Sequence, residues 1–267
     1  MKSSVKFILI SLSSFIVLVI IYIAINYFAP INPDRLNFVH AYFAKGVYES
    51  FEKTMSSYPE NERALVDIRV LLAELRGNER TFADNILNTP PKEFGIKTPF
   101  YSRQNAYDLV RIDNVKLKDS AETGIQYLPS HVYEDYEKMM KAMSADLGRK
   151  LYVDSGYRSA GRQAYLFFKY LVNIYDFSLK ENCKWIAMPG YSEHGSPENT
   201  AIDFVSEDGI NGFSGSQSAA DFERLPEFRW LKANAAKFNF VLSYPYKNSA
   251  GINYEPWHWH WAKNTGS

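Results

Sequence analysis

The sequence predicts an α+β protein, and three features of the chain support this fold class. Of its 267 residues, 46% are hydrophobic and 16% are aromatic, which is ample for a packed core in one large domain or two small ones. Residues 31 to about 100 carry apolar side chains at helical spacing. From about Tyr101 onward, several short strand patterns alternate with helices in an irregular order, unlike a regular β-α-β series.

The composition excludes several classes of protein. The chain has 30 basic and 30 acidic residues, so it lacks the basic excess of a sequence-independent nucleic-acid binder, and no nucleic-acid partner is expected. Cys183 is the one cysteine, which excludes an intramolecular disulfide and a cysteine-based zinc site. Any site built on histidine must therefore draw on five residues, which are His40, His131, His194, His258 and His260.

The first 30 residues predict a membrane anchor. Lys2 and Lys6 precede an uncharged stretch from Phe7 to Ala29, and a helix of that length spans roughly 35 Å, enough to cross a ~30 Å hydrocarbon core. The alternative is a cleaved signal peptide, whose apolar core is normally shorter and ends at a small-x-small site that this sequence lacks. The two lysines would stay in the cytoplasm, so the rest of the chain is expected outside it.

Residues 31–100 predict a small helical region next to the membrane. Asn32–Asp34, with Pro33, is typical of a helix start, and a second helix is expected from about Glu60 to Arg76. A short third helix covers Glu79–Leu87. The first helix carries an apolar stripe at i+4 spacing, formed by Val39, Phe43, Val47, Phe51 and Met55. Such stripes pack helices against one another or against the main domain; the alternative is a docking site for a protein partner.

The remaining elements follow from periodicity and capping residues. Ser130 is expected to cap the start of a helix that ends at Gly148. Two further helices are expected over 160–175 and 226–237. Short strands are expected over 150–154, 201–205, 240–243 and 254–261.

Three polar segments carry the residues that chemistry would need. They are Ser155–Ser159 with Gln163 one turn on, Pro189–His194 leading into Thr200–Asp203, and Tyr254–Trp261. A hydrolytic zinc site requires about three nitrogen or oxygen ligands, an open position for water, and a base near that water. The three segments together supply residue types for all of these roles.

His194, Asp203 and His258 make a candidate set of two histidines and one carboxylate. Glu255 lies three residues before His258 and is the candidate base, and Arg158 suits an oxyanion or a substrate carboxylate. The spacing alone leaves structural histidines as an alternative. In a regular strand Glu255 and His258 would also face opposite sides, although proline at the next position predicts a bend.

These segments resemble the VanY-type D-alanyl-D-alanine carboxypeptidases, which are zinc peptidases grouped with lysostaphin and the sonic hedgehog fold. The family patterns are S-G-Y-R-S-x3-Q, P-G-x-S-E-H-x2-G-x-A-x-D, G-F-x-L-S-Y-P and E-P-W-H-W/F. They appear in order here as Ser155–Gln163, Pro189–Asp203, Asn239–Pro245 and Glu255–Trp259. The resemblance covers roughly residues 105–265. It implies a catalytic domain over 101–267 with an antiparallel sheet and flanking helices, after the anchor (1–30) and the helical region (31–100).

The resemblance also implies roles for individual residues. His194, Asp203 and His258 would hold Zn²⁺, Glu255 would be the general base, and Arg158 would stabilise charge electrostatically. The substrate-binding candidates are Ser155, Tyr157, Gln163, Ser192, Trp257 and His260. For His260, support of the site, contact with substrate and a plain surface position all stay open.

The implied function is a membrane-anchored zinc D,D-carboxypeptidase that acts on peptidoglycan stem peptides outside the bacterial cytoplasm. Alternatives are an L,D-carboxypeptidase or endopeptidase of the cell wall, or a non-catalytic wall-binding or scaffold protein. All expected ligands and the base are present, which favours an enzyme. The chain departs from the family by eight residues between His194 and Asp203 instead of six, by Asn199 and Asn239 in place of glycine, and by His260 in place of arginine. These differences bear on specificity.

Overall fold

The computed structural model describes residues 2–118 and 122–263, and within the first helix it describes side chains from residue 14 onward. The described α-helices are α1 (Lys2–Phe28), α2 (Phe38–Ser56), α3 (Ile68–Glu74), α4 (Gly77–Asn88), α5 (Ser130–Leu147), α6 (Ala160–Asn173), α7 (Leu179–Cys183), α8 (Ala219–Glu223) and α9 (Pro226–Asn234). The described strands are β1 (Leu109–Ile112), β2 (Gln126–Pro129), β3 (Leu151–Ser155), β4 (Ala201–Ser206), β5 (Phe240–Leu242) and β6 (His258–Trp261).

The strands form two antiparallel sheets. β1 pairs with β2, and the other four strands form a sheet in the order β3-β4-β6-β5. Every residue of β4 is buried, because this strand lies inside the sheet between β3 and β6. The predicted α+β class with an antiparallel sheet and flanking helices is therefore confirmed.

Two hydrophobic cores lie beside this sheet. One core joins α5 and α9 to the strands of the four-stranded sheet, with Phe204 and Phe240 nearly or fully buried. The other core joins α2, α3 and α4 to α6 and α7, and Phe51, Phe167 and Phe168 have no exposed surface there. The helices of residues 31–100 therefore pack against α6, and the apolar stripe of α2 is used within the chain.

The predicted helix from Glu60 to Arg76 is broken in two. Residues Glu60–Leu65 form a 3₁₀ turn, and α3 begins after Asp67, whose side chain accepts a hydrogen bond from the Arg69 backbone N–H. The start of α6 explains the break. Ser159 donates through its backbone N–H to the Ala64 carbonyl at 2.9 Å and through Oγ to the Val66 carbonyl at 2.6 Å. Those two carbonyls are directed toward α6, which a continuous helix would not allow.

Two other predicted boundaries are also wrong. α2 begins at Phe38 because Asn37 caps it by accepting the His40 backbone N–H, so Asn32–Asp34 lies before the helix. The last strand is His258–Trp261 and not 254–261. Pro256 has no N–H for a strand ladder, and a turn forms in which the His258 N–H donates to the Glu255 carbonyl at 3.1 Å.

The N-terminal segment is helical, since α1 covers most of the predicted anchor Phe7–Ala29. The side chains of its first part, up to residue 13, lie outside the described residues. Within residues 2–118 and 122–263, no helix has both the length and the apolar character that crossing a bilayer requires.

Candidate active site

Three buried side chains from two strands and one turn meet at the centre of the four-stranded sheet. Asp203 on β4 pairs in register with His258 on β6, and His194 lies on the 3₁₀ turn Glu193–Gly195. His258 Nδ1 is 2.8 Å from Asp203 Oδ1, and His194 Nε2 is 3.1 Å from Asp203 Oδ2. One nitrogen or oxygen from each residue lies within 4.8 Å of the others. The structure thus brings together the predicted ligand set.

The second ring nitrogen of each histidine has a partner that orients the ring. His194 Nδ1 donates to the Gly156 carbonyl at 2.8 Å, which leaves Nε2 as the free lone pair. His258 Nε2 donates to Glu193 Oε2 at 2.9 Å, which leaves Nδ1 directed at Asp203. A hydrogen bond from a ligating imidazole to a carbonyl or carboxylate is typical of protein metal sites.

The electrostatics of the cluster favour a cation at its centre. Burial lowers the pKa of His194 to about 4, and the charge of Arg158 lowers it further, so His194 is neutral. Burial alone would raise the pKa of Asp203, but the two histidines outweigh it and hold that pKa well below its usual value. Burial opposes charge on His258 as well, yet Asp203 and Glu193 raise its pKa to about 10. A pKa of about 10 means that His258 holds a second proton at neutral pH. A divalent cation in place of that second proton fits this donor set.

Glu255 and Arg158 flank the three residues His194, Asp203 and His258, which we call the trio. Glu255 Oε2 is 3.7 Å from His258 Nδ1, because the turn before β6 directs this side chain toward the trio. In a regular strand Glu255 and His258 would face opposite sides, but Glu255 lies before β6 and this restriction does not apply. Burial raises the pKa of Glu255 to about 8, and the charge of Asp203 contributes to that rise. Arg158 donates its backbone N–H to the His194 carbonyl at 3.1 Å, and its Nε has no hydrogen-bond partner among the described residues.

A cavity of about 550 Å³ opens on this cluster, which we call the catalytic cavity. The trio, Glu255 and Arg158 all line it, as do four of the six predicted substrate-binding residues, which are Ser155, Gln163, Ser192 and Trp257. Gln163 is buried; its amide donates to the Ala187 carbonyl, while its Oε1 has no partner among the described residues.

The other two predicted substrate-binding residues are placed differently. Tyr157 has 1% of its surface exposed, and its hydroxyl accepts the Ala106 backbone N–H at 2.8 Å. Tyr157 is therefore buried under the segment that contains Ala106 and does not line the catalytic cavity. His260 lies behind the trio, with Nδ1 2.8 Å from Ser243 Oγ and 3.7 Å from Glu193 Oε1. Among the described residues His260 does not line the catalytic cavity, and its role stays a prediction.

Sequence reasoning missed Glu193 and two tyrosines near it. Tyr101 donates to Glu193 Oε1 at 3.2 Å, and the Tyr244 ring lies 4.9 Å from the His258 ring. Although burial alone would raise the pKa of Glu193, the hydrogen bond and charge of His258 lower it to about 2. The position of Glu193 directly before His194 was the available signal, but the role of Glu193 depends on β6, 65 residues away along the chain.

The comparisons with known proteins identify a family. A family model described as D-alanyl-D-alanine carboxypeptidase, VanY, matches residues 125–264, which is about half of the chain. All three residues of the trio, Glu255 and Arg158 lie inside the matched range.

Curated relatives have the same description. A D-alanyl-D-alanine carboxypeptidase from Enterococcus faecium is 31% identical over 157 residues, which are 55% of this chain and 43% of that protein. One from Enterococcus faecalis is 27% identical over 158 residues, which are 58% of this chain and 44% of that protein. The chain thus spans less than half the length of these two relatives.

Among solved structures, one described as the LdcB LD-carboxypeptidase is 27% identical. It covers 59% of this chain, and the match spans 69% of that structure with a TM-score of 0.47.

Proposed function

The chain belongs to the VanY family of D-alanyl-D-alanine carboxypeptidases, and from this premise we propose that it removes terminal D-alanine from cell-wall stem peptides with the help of zinc. One observation carries the proposal: a buried trio of two histidines and a carboxylate, with a carboxyl group and a guanidinium beside it, lines a single cavity. That arrangement contains every group that zinc-dependent peptide hydrolysis requires.

His194, Asp203 and His258 would hold the zinc ion. Bound there, zinc supplies Lewis-acid chemistry, in that it polarises a carbonyl group and makes water nucleophilic near neutral pH. The protein contributes the orientation of the two imidazoles through the Gly156 carbonyl and Glu193.

Glu255 is proposed to move the proton. Its carboxyl group lies next to the trio, and burial raises its pKa to about 8. The ionised form of this carboxyl group, which a cation held by the trio would favour, accepts a proton from the attacking water and returns it to the leaving amine. The leaving amine is the amino group of the released D-alanine.

Arg158 is proposed to stabilise the negative charge that develops on the scissile carbonyl oxygen. Its Nε faces no partner among the described residues, so it is available to a substrate oxygen. Ser155, Gln163 and Ser192 line the same cavity and offer hydrogen bonds to the peptide backbone. The Gln163 Oε1, without a partner in the described part of the chain, is an acceptor for a substrate N–H.

The test uses the purified full chain and a muropeptide with a pentapeptide stem. The muropeptide is incubated with three samples of the protein: as purified, treated with a chelator, and treated with a chelator and then given zinc again. The products are identified by mass. Loss of one alanine that chelation abolishes and zinc restores supports the proposal. Cleavage at another bond would change the substrate assignment, and no cleavage by protein that holds zinc would contradict the proposal.

We propose further that the chain acts outside the cytoplasm, because its proposed substrate lies there. An alkaline phosphatase fusion to its C-terminus would be active under this proposal and inactive if the chain stays in the cytoplasm. The N-terminal anchor stays a prediction. Carbonate extraction of membranes tests it, since an anchored chain stays in the pellet.

A further inference from the structure

A second cavity of about 430 Å³ adjoins the catalytic cavity. The two cavities share Asp154, Ser155 and Arg158, so they are neighbouring parts of one cleft. The 3₁₀ turn that begins at Glu60 lines the second cavity, as does the segment 122–126 before β2. We call it the arginine cavity, after Arg63, Arg158 and Arg162, which line it.

The interior of the arginine cavity is rich in positive charge. Its three arginines are partly buried, and within residues 2–118 and 122–263 none of them makes an ion pair. The Arg63 Nε donates to the Tyr58 carbonyl, and the Arg162 guanidinium lies 5.3 Å from the Tyr165 ring centre. Arg63 and Arg162 therefore line the cavity without an ion-pair partner in the described part of the chain, whereas Arg158 lies near the charges of Asp203 and Glu255.

The acidic groups of the cavity do not neutralise these arginines. Glu60 and Glu122 are exposed and lie in water, where their effect on the interior is screened. Asp154 is half-buried, and it accepts a hydrogen bond from Asn211 at 3.3 Å. Burial raises the pKa of Asp154 to about 6, and the charge of Asp203 adds to the rise. Asp154 is thus the one interior carboxyl group among the described residues that line the arginine cavity, while Arg158 also lies near the charges of Asp203 and Glu255.

The arginines also act on one another. Burial lowers the pKa of Arg162, and the charges of Arg158 and Arg63 lower it further. Burial likewise lowers the pKa of Arg158, although the charges of Asp203 and Glu255 oppose that fall. Like charges held together in a cavity favour the entry of an anion, and guanidinium groups match a carboxylate in geometry.

We propose that the arginine cavity binds a carboxylate group of the substrate, located on the amino side of the bond that is cut. This inference rests on the proposed function. A carboxypeptidase releases the C-terminal residue, so the remainder of the peptide lies entirely on the amino side and must leave the catalytic cavity. The arginine cavity begins at Arg158, beside the scissile bond in the proposed mechanism, and offers a continuous path for that remainder.

The inference gives residues 31–100 a part in substrate selection. Arg63 comes from this region, which lies outside the range 125–264 that the family model matches. The packing that breaks the predicted helix at Val66 holds this turn against α6, next to Arg162. The region therefore forms one wall of the cleft.

The test compares two synthetic peptides of equal length that end in D-Ala-D-Ala. One has a free carboxylate on an acidic residue upstream of the D-alanines, and the other has that group as an amide. For the full chain loaded with zinc, we expect kcat/KM to be roughly tenfold or more higher for the carboxylate peptide, as one charge-assisted contact would provide. In Arg162→Gln and Arg63→Gln this preference should shrink to about twofold or less.

Two control variants and the unfolding temperature separate loss of charge from loss of folding. Arg162→Lys keeps the positive charge and should keep part of the preference, whereas loss of folding would appear as a lower unfolding temperature in every variant. Arg229→Gln removes an exposed arginine of α9 that lines neither cavity, and its preference should equal that of the unchanged chain.

Binding provides a measurement that does not depend on catalysis. The products of the two peptides, with one D-alanine removed, are titrated into the chain without zinc by calorimetry. Tighter binding of the carboxylate product, lost in Arg162→Gln, supports the inference even if neither peptide is cleaved, an outcome that would contradict the proposed function alone. Equal binding of both products, or a preference that survives both glutamine variants, would overturn the inference.

Discussion

Each histidine of the trio is held by a second hydrogen bond on the far side of its ring. The Gly156 carbonyl holds His194, and Glu193 holds His258, so both imidazoles are oriented before any metal arrives. Glu255 stands apart from this scaffold, at 3.7 Å from His258 Nδ1 and without a hydrogen bond that fixes its carboxyl group to the trio. The residues that would bind metal and the residue that would move protons are therefore separable by substitution.

Replacement of Glu255 by glutamine should retain zinc and lose most hydrolysis. The ligands stay intact, while the proton acceptor is gone, so kcat should fall by roughly 10²–10⁴-fold. Steady-state cleavage of a pentapeptide stem and metal content by mass spectrometry measure the two effects. His194→Ala is the matched contrast, since it should lose zinc as well. Native activity in Glu255→Gln would refute the role of Glu255, and stoichiometric zinc in His194→Ala would refute that ligand.

Replacement of Glu193 by glutamine should weaken zinc binding without abolishing it. The variant loses the charge that polarises the His258 ring, and such changes beside a ligand typically cost about 10–100-fold in metal affinity. Competition with a chromophoric chelator measures the affinity. Glu198→Gln on the same loop is the control, because its side chain is exposed. Equal zinc affinities in the two variants would show that Glu193 does not support the site.

At the scale of elements, α6 links the site to the helices of residues 31–100. The helix begins directly after the loop that carries Arg158. The side chain of Gln163, in the first turn of α6, lines the catalytic cavity. Phe167 and Phe168, further along α6, pack in the core that α6 shares with α2. Close contact between α6 and the start of α3 depends on Gly161, since a Cβ there would lie 2.1 Å from the Val66 carbonyl oxygen.

Gly161→Ala should therefore destabilise the protein. The clash is with backbone atoms that cannot rotate away, at a cost of about 1–3 kcal/mol, which outweighs the gain of up to about 1 kcal/mol from better helix propensity. Gly46→Ala in α2 is the matched control, because the added methyl would meet only the flexible end of Glu79. Denaturant unfolding compares the two, and equal free energies of unfolding would contradict the close contact.

A hydrogen bond between α2 and α6 should make their contact sensitive to acid. The Tyr165 hydroxyl donates to Glu52 Oε2 at 2.5 Å, and this bond holds the pKa of Glu52 below its ordinary value of 4.5. A lowered folded-state pKa contributes stability that is complete above pH 4.5 and is lost as the pH falls through the folded-state pKa.

Tyr165→Phe removes the hydroxyl and should lower the free energy of unfolding by about 1–2 kcal/mol at pH 7, as expected for a hydrogen bond to a charged group. The difference from the unchanged chain should shrink below pH 4.5, where Glu52 of the unfolded chain gains a proton before Glu52 of the folded chain does. Urea unfolding at pH 7 and at pH 3.5 tests this. A difference that is equal at both values would assign the loss to packing.

At the scale of the whole molecule, one core is built from two segments that lie far apart in the sequence. Residues from Leu36 to Ile96 share it with residues from Ala160 to Met188. The same contact forms one wall of the arginine cavity through the turn that begins at Glu60. Stability and the shape of the cleft therefore depend on the same interface.

Removal of residues 1–100 should leave a chain that does not fold stably. Ala164, Phe167, Phe168 and Leu171 have no exposed surface in the full chain and would face water after the truncation. Circular dichroism, thermal unfolding and binding of a hydrophobic dye report the outcome. A soluble truncated chain with the unfolding temperature of the full chain would show that the interface contributes nothing.

The sequence by itself determined the α+β class, most of the elements after Tyr101 and the residues that meet at the site. These features depend on local signals, which are apolar periodicity, end residues such as Gly148 at the C-terminus of α5, and motifs that resemble those of a known family. The helix α5 shows the limit of such signals: Gly148 caps its C-terminal end as expected, but Pro129 stands at the N-cap position and the Ser130 hydroxyl donates to Asp108 Oδ1 instead.

Only the tertiary structure decided which polar groups became partners. The break between Glu60 and Arg76 follows from hydrogen bonds to Ser159, and the role of Glu193 follows from β6, so neither has a local signal. The arginine cavity likewise joins Arg63 to Arg162 across 99 positions of sequence. Such contacts are set by the way α6 packs against the preceding helices, which depends on the shapes of buried side chains far apart in the chain.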